Sequence, residues 1–167
     1  MSESRAHSLF DAIQVGDLAL TNRIAMAPLT RNRSPQAVPL PVTATYYAQR
    51  ATAGLLITEG TAISHQGQGY SDVPGLYGDD QIEGWKRVTD AVHAKGGKIA
   101  CQLWHVGRVS HELLQPELQA PVGPSDITAQ TRTYLIDPAS GKGQFVPTTQ
   151  PRALRADELP GIVHTYA

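Results

Sequence analysis

Between Ile24 and Trp104, short apolar runs alternate with helical periodicities. Ile24 to Ala27 is a brief apolar run, and a polar, proline-bearing loop follows from Arg31 to Pro41. Val42 to Ala53 then reads as a helix, with Pro41 suited to its start and Gly54 to its end. Leu55 to Gly60 is the next strand, and the glycines, serines and Pro74 between Thr61 and Gly78 predict a loop. A second helix follows. Asp80 and Glu83 have capping-box spacing, Ile82, Trp85, Val88 and Val92 fall near one helical face, and Gly96 with Gly97 supplies a stop. Lys98 to Trp104 is a third strand.

A series of this kind is a βαβαβ arrangement, which builds either an open doubly wound sheet or a closed barrel. The first two strand-to-helix turns carry neither the glycine fingerprint of a dinucleotide fold nor a lysine-bearing phosphate loop, so the α/β barrel is the expected fold. Ahead of the first strand, Leu9 to Phe10, Ile13 to Val15, Gly16-Asp17 and Leu18 to Leu20 predict a small hairpin placed to plug the barrel floor. From Gly107 to Arg155 the chain is rich in proline, glycine and polar residues without a long helix, and connections of that length usually carry function. Within it, Thr131 to Ile136 and Gly143 to Val146 are placed to pair as a hairpin around Asp137-Pro138-Ala139-Ser140-Gly141, a flap over the strand ends. Asp157 and Glu158 open a last helical segment in which Leu159, Ile162, Val163 and Tyr166 have the offsets of a core-facing stripe.

A complete barrel of this type has eight strands and ~250 residues. The expectation is therefore an incomplete TIM (β/α)8 barrel: three βα units, an N-terminal hairpin and an insertion over 107–155, all within one domain over 1–167. The open edges of such a sheet predict self-association or pairing with a complementing carboxyl-terminal half.

Composition narrows the function classes. The 167 residues are 41% hydrophobic and 17% charged, as expected of one soluble globular unit. A net charge of -1 gives no broad basic field, so nucleic acid is not an expected partner. Met1 to Ser8 is polar and mixed in charge, without the apolar core of a signal peptide, and no run is long enough to cross a bilayer, so no membrane partner and a cytoplasmic location are expected. The single cysteine, Cys101, forms no internal disulfide and sits in an apolar stretch where a buried, unreactive role is expected.

Candidate chemistry gathers at the strand ends, where barrel enzymes place their active-site groups. On the third strand, alternation puts Ala100, Gln102 and Trp104 on one face and Ile99, Cys101 and Leu103 on the other, the latter expected against the helices. Gln102 offers a donor and an acceptor together, suited to a ring with adjacent N–H and C=O groups, although the same placement also fits side chains that only close a core. The first strand runs into Pro28, which cannot donate to a sheet ladder, with Thr30 just beyond it. The second ends Thr58-Glu59-Gly60-Thr61, where the glycine suits close approach of a planar group. Taken singly, each of these also has an ordinary structural explanation as a cap, a turn or a buried amide.

The stretches Asn22-Arg23-Ile24-Ala25-Met26-Ala27-Pro28-Leu29-Thr30-Arg31, Tyr46-Tyr47-Ala48-Gln49-Arg50-Ala51, Thr58-Glu59-Gly60-Thr61, Gly67-Gln68-Gly69-Tyr70 and Gln102-Leu103-Trp104-His105-Val106-Gly107-Arg108 together resemble the amino-terminal part of the Old Yellow Enzyme family, near its bacterial N-ethylmaleimide reductase and pentaerythritol tetranitrate reductase branch. The resemblance runs from about Leu9 to the last residue. It implies FMN as cofactor, with Pro28 and Leu29 as backbone contacts, Thr30 as a hydroxyl donor to the O4 side of the ring, Gly60 as a backbone neighbour and Gln102 on the pyrimidine edge. Tyr70 and Trp104 resemble residues that shape the substrate pocket, and Arg132 lies in the flap region that borders it; Thr30 and Trp104 are the catalytic candidates. A hydrogen bond at O4 stabilises negative charge on the reduced ring, so Thr30 would also tune the potential.

The implied reaction passes hydride from NADPH or NADH through the flavin to an activated alkene such as an enone, a maleimide or a nitroalkene. The family's carbonyl-binding His/His or His/Asn pair, its tyrosine proton donor and its phosphate site belong to later strands without counterparts among these residues. Three readings follow: an oxidoreductase half completed by further strands, a non-catalytic fragment whose open edge serves assembly, and a metal-dependent barrel hydrolase. The third is disfavoured because His65, His105, His111 and Cys101 form no convergent ligand set by spacing, so no metal is expected.

Overall fold

The computed structural model describes residues 8–137 and 139–167; most of the polar start, Met1–His7, and Pro138 of the flap turn lie outside the described residues. Strands β1 (Ile13–Val15) and β2 (Leu18–Leu20) form an antiparallel hairpin in which Ile13 pairs with Leu20. Gly16 at φ 54° supplies the left-handed residue that a two-residue hairpin turn demands. Leu9 and Phe10 precede the hairpin as an exposed turn, and the Arg23 N–H donates to the Leu9 carbonyl at 2.8 Å, so the hairpin borders the amino-terminal entry to the sheet.

Strand β3 (Ala25–Met26), helix α1 (Pro41–Ala48), strand β4 (Leu55–Ala62), helix α2 (Asp79–His93) and strand β5 (Ile99–Trp104) follow as the expected series. The three strands form one parallel sheet in the order β3-β4-β5. Tyr47, Ala51, Leu56, Trp85, Val88 and Val92 form the core between sheet and helices, with Met26 and Ile99 packed against it. Each fully buried Leu or Val there contributes about 1.5–3 kcal/mol of apolar burial. At the foot of β4, Gly54 is obligatory: a Cβ there would sit 2.2 Å from the Asn22 carbonyl oxygen, while the Asn22 side chain accepts the Gly54 N–H at 2.8 Å and donates to the Thr52 carbonyl at 2.9 Å.

Several local expectations are corrected. Helix α1 ends at Ala48 rather than Ala53, because residues 49–53 continue as hydrogen-bonded turns into Gly54. No Asp80–Glu83 capping box forms; Gly78 is the N-cap of α2, which puts Asp80 inside the helix, and Glu83 pairs with Lys86 at 2.8 Å. Ile82 is exposed, and the buried face is Gln81, Gly84, Trp85, Val88 and Val92, since Gln81 accepts the Tyr77 N–H through its amide and Gly84 lies against Pro39. Cys101 and Leu103 are exposed, not buried against helices, because β5 is a sheet edge and only its first residue, Ile99, reaches the core.

Beyond β5 the chain passes through single 3-10 turns at Glu112–Leu114 and Pro116–Leu118 to β6 (Val122–Gly123), β7 (Arg132–Ile136), β8 (Gly143–Pro147) and β9 (Arg152–Ala153). The antiparallel β7–β8 hairpin is the expected flap, with Thr133 opposite Val146 and Tyr134 packed on Phe145 at 5.3 Å. The parallel β6–β9 pair was not legible, since two residues per strand leave no periodicity. Helix α3 (Leu159–Tyr166) closes the described chain, but its expected core stripe is not buried: Leu159, Val163 and Tyr166 are exposed, and only one side of it lines a cavity of about 300 Å³ with His105, Val122 and Leu154. Arg152 and the Arg155 N–H grip the Glu158 carboxylate ahead of α3 at 2.8 Å each, holding it at about 2, far below the usual range.

Candidate functional site

The carboxyl ends of β3, β4 and β5 lie side by side, and β4 carries a bulge there. Ile57 pairs with Ala100 and Gly60 with Gln102, so Thr58 and Glu59 together oppose the single residue Cys101. The extra residue rotates Gly60 onto the face of Gln102 and Trp104. Its would-be Cβ lies 2.4 Å from Cε3 of Trp104, so the indole rests on the bare Gly60 backbone. The ladder bond lost at the bulge is replaced by the Thr58 hydroxyl, which accepts the Gln102 N–H at 3.0 Å.

The Trp104 ring stacks on Tyr70 with centroids 6.2 Å apart and planes at 28°, joining two of the expected pocket residues. The Trp104 indole N–H is buried and has no partner among the described residues, a cost to the fold at this point. The side chains of Thr30 and Gln102 make no hydrogen bond among the described residues, Gln102 is open to solvent, and Leu29 is exposed beside the half-buried Pro28. Gly60 and Gln102 pair at adjacent strand ends, and Thr30 lies four residues past β3 next to Arg31, which Glu59 of β4 holds. The Thr30 and Gln102 side chains have donors and acceptors to spare, whereas Gly60 is buried under the Trp104 indole. They form an open shelf rather than an enclosed hollow, because three strands supply one wall only. Primary amide, hydroxyl and flat aromatic surface suit a planar, polar-edged ring, so these residues fit one edge of a flavin.

Arg132 begins β7 and is exposed. Its hairpin is docked on the segment that carries Tyr70: the Ser71 N–H donates to the Tyr134 carbonyl at 2.9 Å, the Ile136 N–H to the Ser71 hydroxyl at 2.9 Å, and the Thr133 hydroxyl to the Gly69 carbonyl. The flap therefore borders the same side of the sheet as the Tyr70–Trp104 stack.

Sequence reasoning missed the group behind the shelf. Arg31 forks onto Glu59 through Nε at 2.9 Å and through Nη2, and its own N–H reaches the second carboxylate oxygen at 3.3 Å. Glu59 is fully buried. The Arg31 guanidinium lies 4.0 Å from the Tyr46 ring centroid and 5.2 Å from that of Tyr47. Tyr47 Oη accepts the Glu59 N–H at 2.8 Å, and burial, with the nearby Glu59 charge adding to it, pushes the Tyr47 phenol up so that it stays neutral. The signal available was two opposite charges, each adjacent to a site residue, on neighbouring strand ends.

Just past Trp104, His105 Nδ1 accepts the Gly107 N–H at 3.1 Å and burial pushes its imidazole down, so it is neutral, with no partner for its Nε2 among the described residues. Among the described residues, no three His, Cys, Asp or Glu side chains cluster as metal ligands.

Residues 8–167 match the NADH:flavin oxidoreductase / NADH oxidase family. Among curated relatives, 12-oxophytodienoate reductase 7 of Oryza sativa subsp. japonica is 46% identical over 159 residues, which is 95% of this chain and 40% of that protein. 12-oxophytodienoate reductase 2 of Arabidopsis thaliana is 44% identical over 161 residues, 95% and 41% of the two chains. Morphinone reductase, solved in complex with tetrahydroNAD, superposes with a TM-score of 0.93 at 52% identity, over 96% of this chain and 44% of that one. The old yellow enzyme homologue from Zymomonas mobilis gives 0.88 at 43% identity, over 96% and 43%. The chain spans about 40% of the length of these two curated relatives.

Proposed function

Because the chain belongs to the NADH:flavin oxidoreductase / NADH oxidase family, the Old Yellow Enzyme family of its motifs, we propose that it supplies the pyrimidine-binding wall of an FMN-dependent ene-reductase. The observation that supports this reading is the pairing of Gly60 with Gln102 beside the Tyr70–Trp104 stack, with the segment of Thr30 tied to β4 through Arg31 and Glu59. Bound FMN would accept hydride from NADH or NADPH and pass it to an activated alkene such as an enone, a maleimide or a nitro compound. This chain's part is to hold and orient. Gln102 pairs with the ring's N–H and C=O edge, Thr30 donates to its O4 side, Pro28 and Leu29 admit the ring edge-on to the main chain, and Gly60 is a backbone neighbour beneath the Trp104 indole. Trp104 and Tyr70 present a flat apolar wall that excludes water from the alkene, with Arg132 at the flap margin.

These contacts address the ring and not the phosphate, which gives a direct test. Lumiflavin, riboflavin and FMN are expected to bind the chain with similar affinity, read from quenching of flavin fluorescence. Thr30→Val and Gln102→Leu are each expected to weaken binding about two- to tenfold, the net worth of one hydrogen bond. A chain that binds none of the three flavins refutes the reading. The sheet edges at β3 and β5, with exposed Leu103 and the uncovered α3 stripe, favour a second reading, in which the chain is an assembly half or non-catalytic fragment completed by further βα units of a TIM barrel. Mixing with a separately made carboxyl-terminal half and assaying nicotinamide-dependent enone reduction distinguishes an assembly half from an inert fragment.

A further inference from the structure

The site residues Thr30 and Gly60 each have a charged neighbour in sequence, and those two neighbours hold one another. We infer that Glu59 is a positioning residue: it clamps the Pro28–Thr30 segment onto β4 and balances a cation behind the shelf. The inference rests on the flavin reading above.

The geometry of the grip is unusual in taking both ends of a single residue. One carboxylate oxygen of Glu59 receives Nε and Nη2 of Arg31, and the other receives the Arg31 main-chain N–H at 3.3 Å. Among the described residues the segment after β3 has no ladder partner of its own, since β3 pairs with β4 at Ala25 and Met26. The carboxylate is therefore what ties the end of that segment to β4, one residue from Thr30 on one side and one residue from Gly60 on the other.

Glu59 in turn is held by its surroundings. The bulge removes Glu59 from the β4–β5 register, and Tyr47 Oη accepts its N–H at 2.8 Å. Tyr46 and Tyr47 of α1 flank the Arg31 guanidinium, and Arg50 stacks on Tyr46 from 3.8 Å. The Glu59 side chain is fully buried and that of Arg31 is 13% exposed, so the charges are little screened and each depends on the other. Replacing the carboxylate by an amide leaves shape almost unchanged but removes one charge. The Arg31 cation behind the shelf, on the residue after Thr30, is then uncompensated, and its field favours negative charge on a reduced ring bound at the shelf.

The test uses the full chain with Glu59→Gln, and Tyr47→Phe as a milder change that removes only the acceptor for the Glu59 N–H. In flavin-free protein, amide hydrogen exchange at Arg31 is expected to quicken about tenfold in Glu59→Gln, while Val88 and Val92 of α2 keep their protection. With lumiflavin as probe, binding is expected to weaken, and the reduction potential of the bound ring to move positive, a shift that loss of shape alone does not produce. Unchanged Arg31 exchange in both variants overturns the clamp, and an unchanged or more negative potential overturns the charge balance. Wild-type chain that fails to bind lumiflavin while the exchange change persists refutes the flavin reading and leaves the clamp standing.

Discussion

Adding one methyl group at Gly60 tests the geometry of the shelf directly. Its Cβ would lie 2.4, 2.5 and 2.7 Å from Cε3, Cδ2 and Cζ3 of Trp104. Carbon atoms pack at about 3.5–4.0 Å, so the indole must retreat by about 1 Å. Gly60 does not have a left-handed backbone, so the alanine is conformationally allowed and the cost is the collision alone. Overpacking of this kind costs about 1–3 kcal/mol, and displacing the ring also weakens its stack on Tyr70. For a chain of this size that is a fall in Tm of roughly 3–10 °C, read by scanning calorimetry. The decisive comparison is the double-mutant cycle with Trp104→Ala. Once the indole is gone the methyl meets no ring, and Gly60→Ala should become neutral or stabilise by about 0.5–1 kcal/mol through reduced chain entropy. An equal cost in both backgrounds would show that the indole does not rest on Gly60.

Gly54→Ala should cost at least about 3 kcal/mol in urea unfolding, more than Gly60→Ala, because its methyl meets the Asn22 main-chain oxygen, which cannot swing aside as an indole can. Thr58→Val removes the acceptor of the Gln102 N–H; a loss of about 1–3 kcal/mol is expected, with faster amide exchange at Gln102 itself. His105 is held below its ordinary value by burial, so the unfolded chain takes up a proton first as pH falls through about 6.5. Its stabilising contribution is thus present above that pH and lost below it. The drop in Tm between about pH 7.5 and about pH 5.5 should be smaller in His105→Gln than in wild type; equal drops would argue against a buried neutral imidazole.

The elements that the sequence announces are those whose signals are local. The two hairpins follow from strand alternation with a left-handed glycine at the turn, Gly16 at φ 54° and Gly141 at φ 66°. The βαβαβ series follows from apolar runs of the right length, and the Gln102–Trp104 face from period two along β5. What failed depended on the neighbourhood. Ile82 and Gln81 exchange roles because a buried amide that satisfies Tyr77 outweighs hydrophobicity at that position. Cys101 and Leu103 have the composition of buried positions, but their burial depends on what covers an edge strand, which no local pattern records. The Arg31–Glu59 pair lay unread because charges at strand ends are ordinarily solvated, and only the tertiary fold desolvates these two together.

The β4 bulge explains why strand periodicity alone would have misplaced the site. Leu56 faces the helices with Ile99, so strict alternation from Leu56 sends Gly60 to that same face, away from Gln102. The inserted residue reverses the parity. Gly60 then pairs with Gln102 and Ala62 with Trp104, and the four share the face on which the indole lies. The same distortion withdraws a ladder acceptor from the Gln102 N–H, which Thr58 replaces, and leaves the Glu59 N–H to Tyr47. Bulges bend strands and re-aim side chains at the ends of sheets, and here Thr58 satisfies the displaced Gln102 N–H and Tyr47 of the core the displaced Glu59 N–H. The irregularity is therefore part of how the site is built: without that extra residue, Gly60, Gln102 and Trp104 could not share a surface.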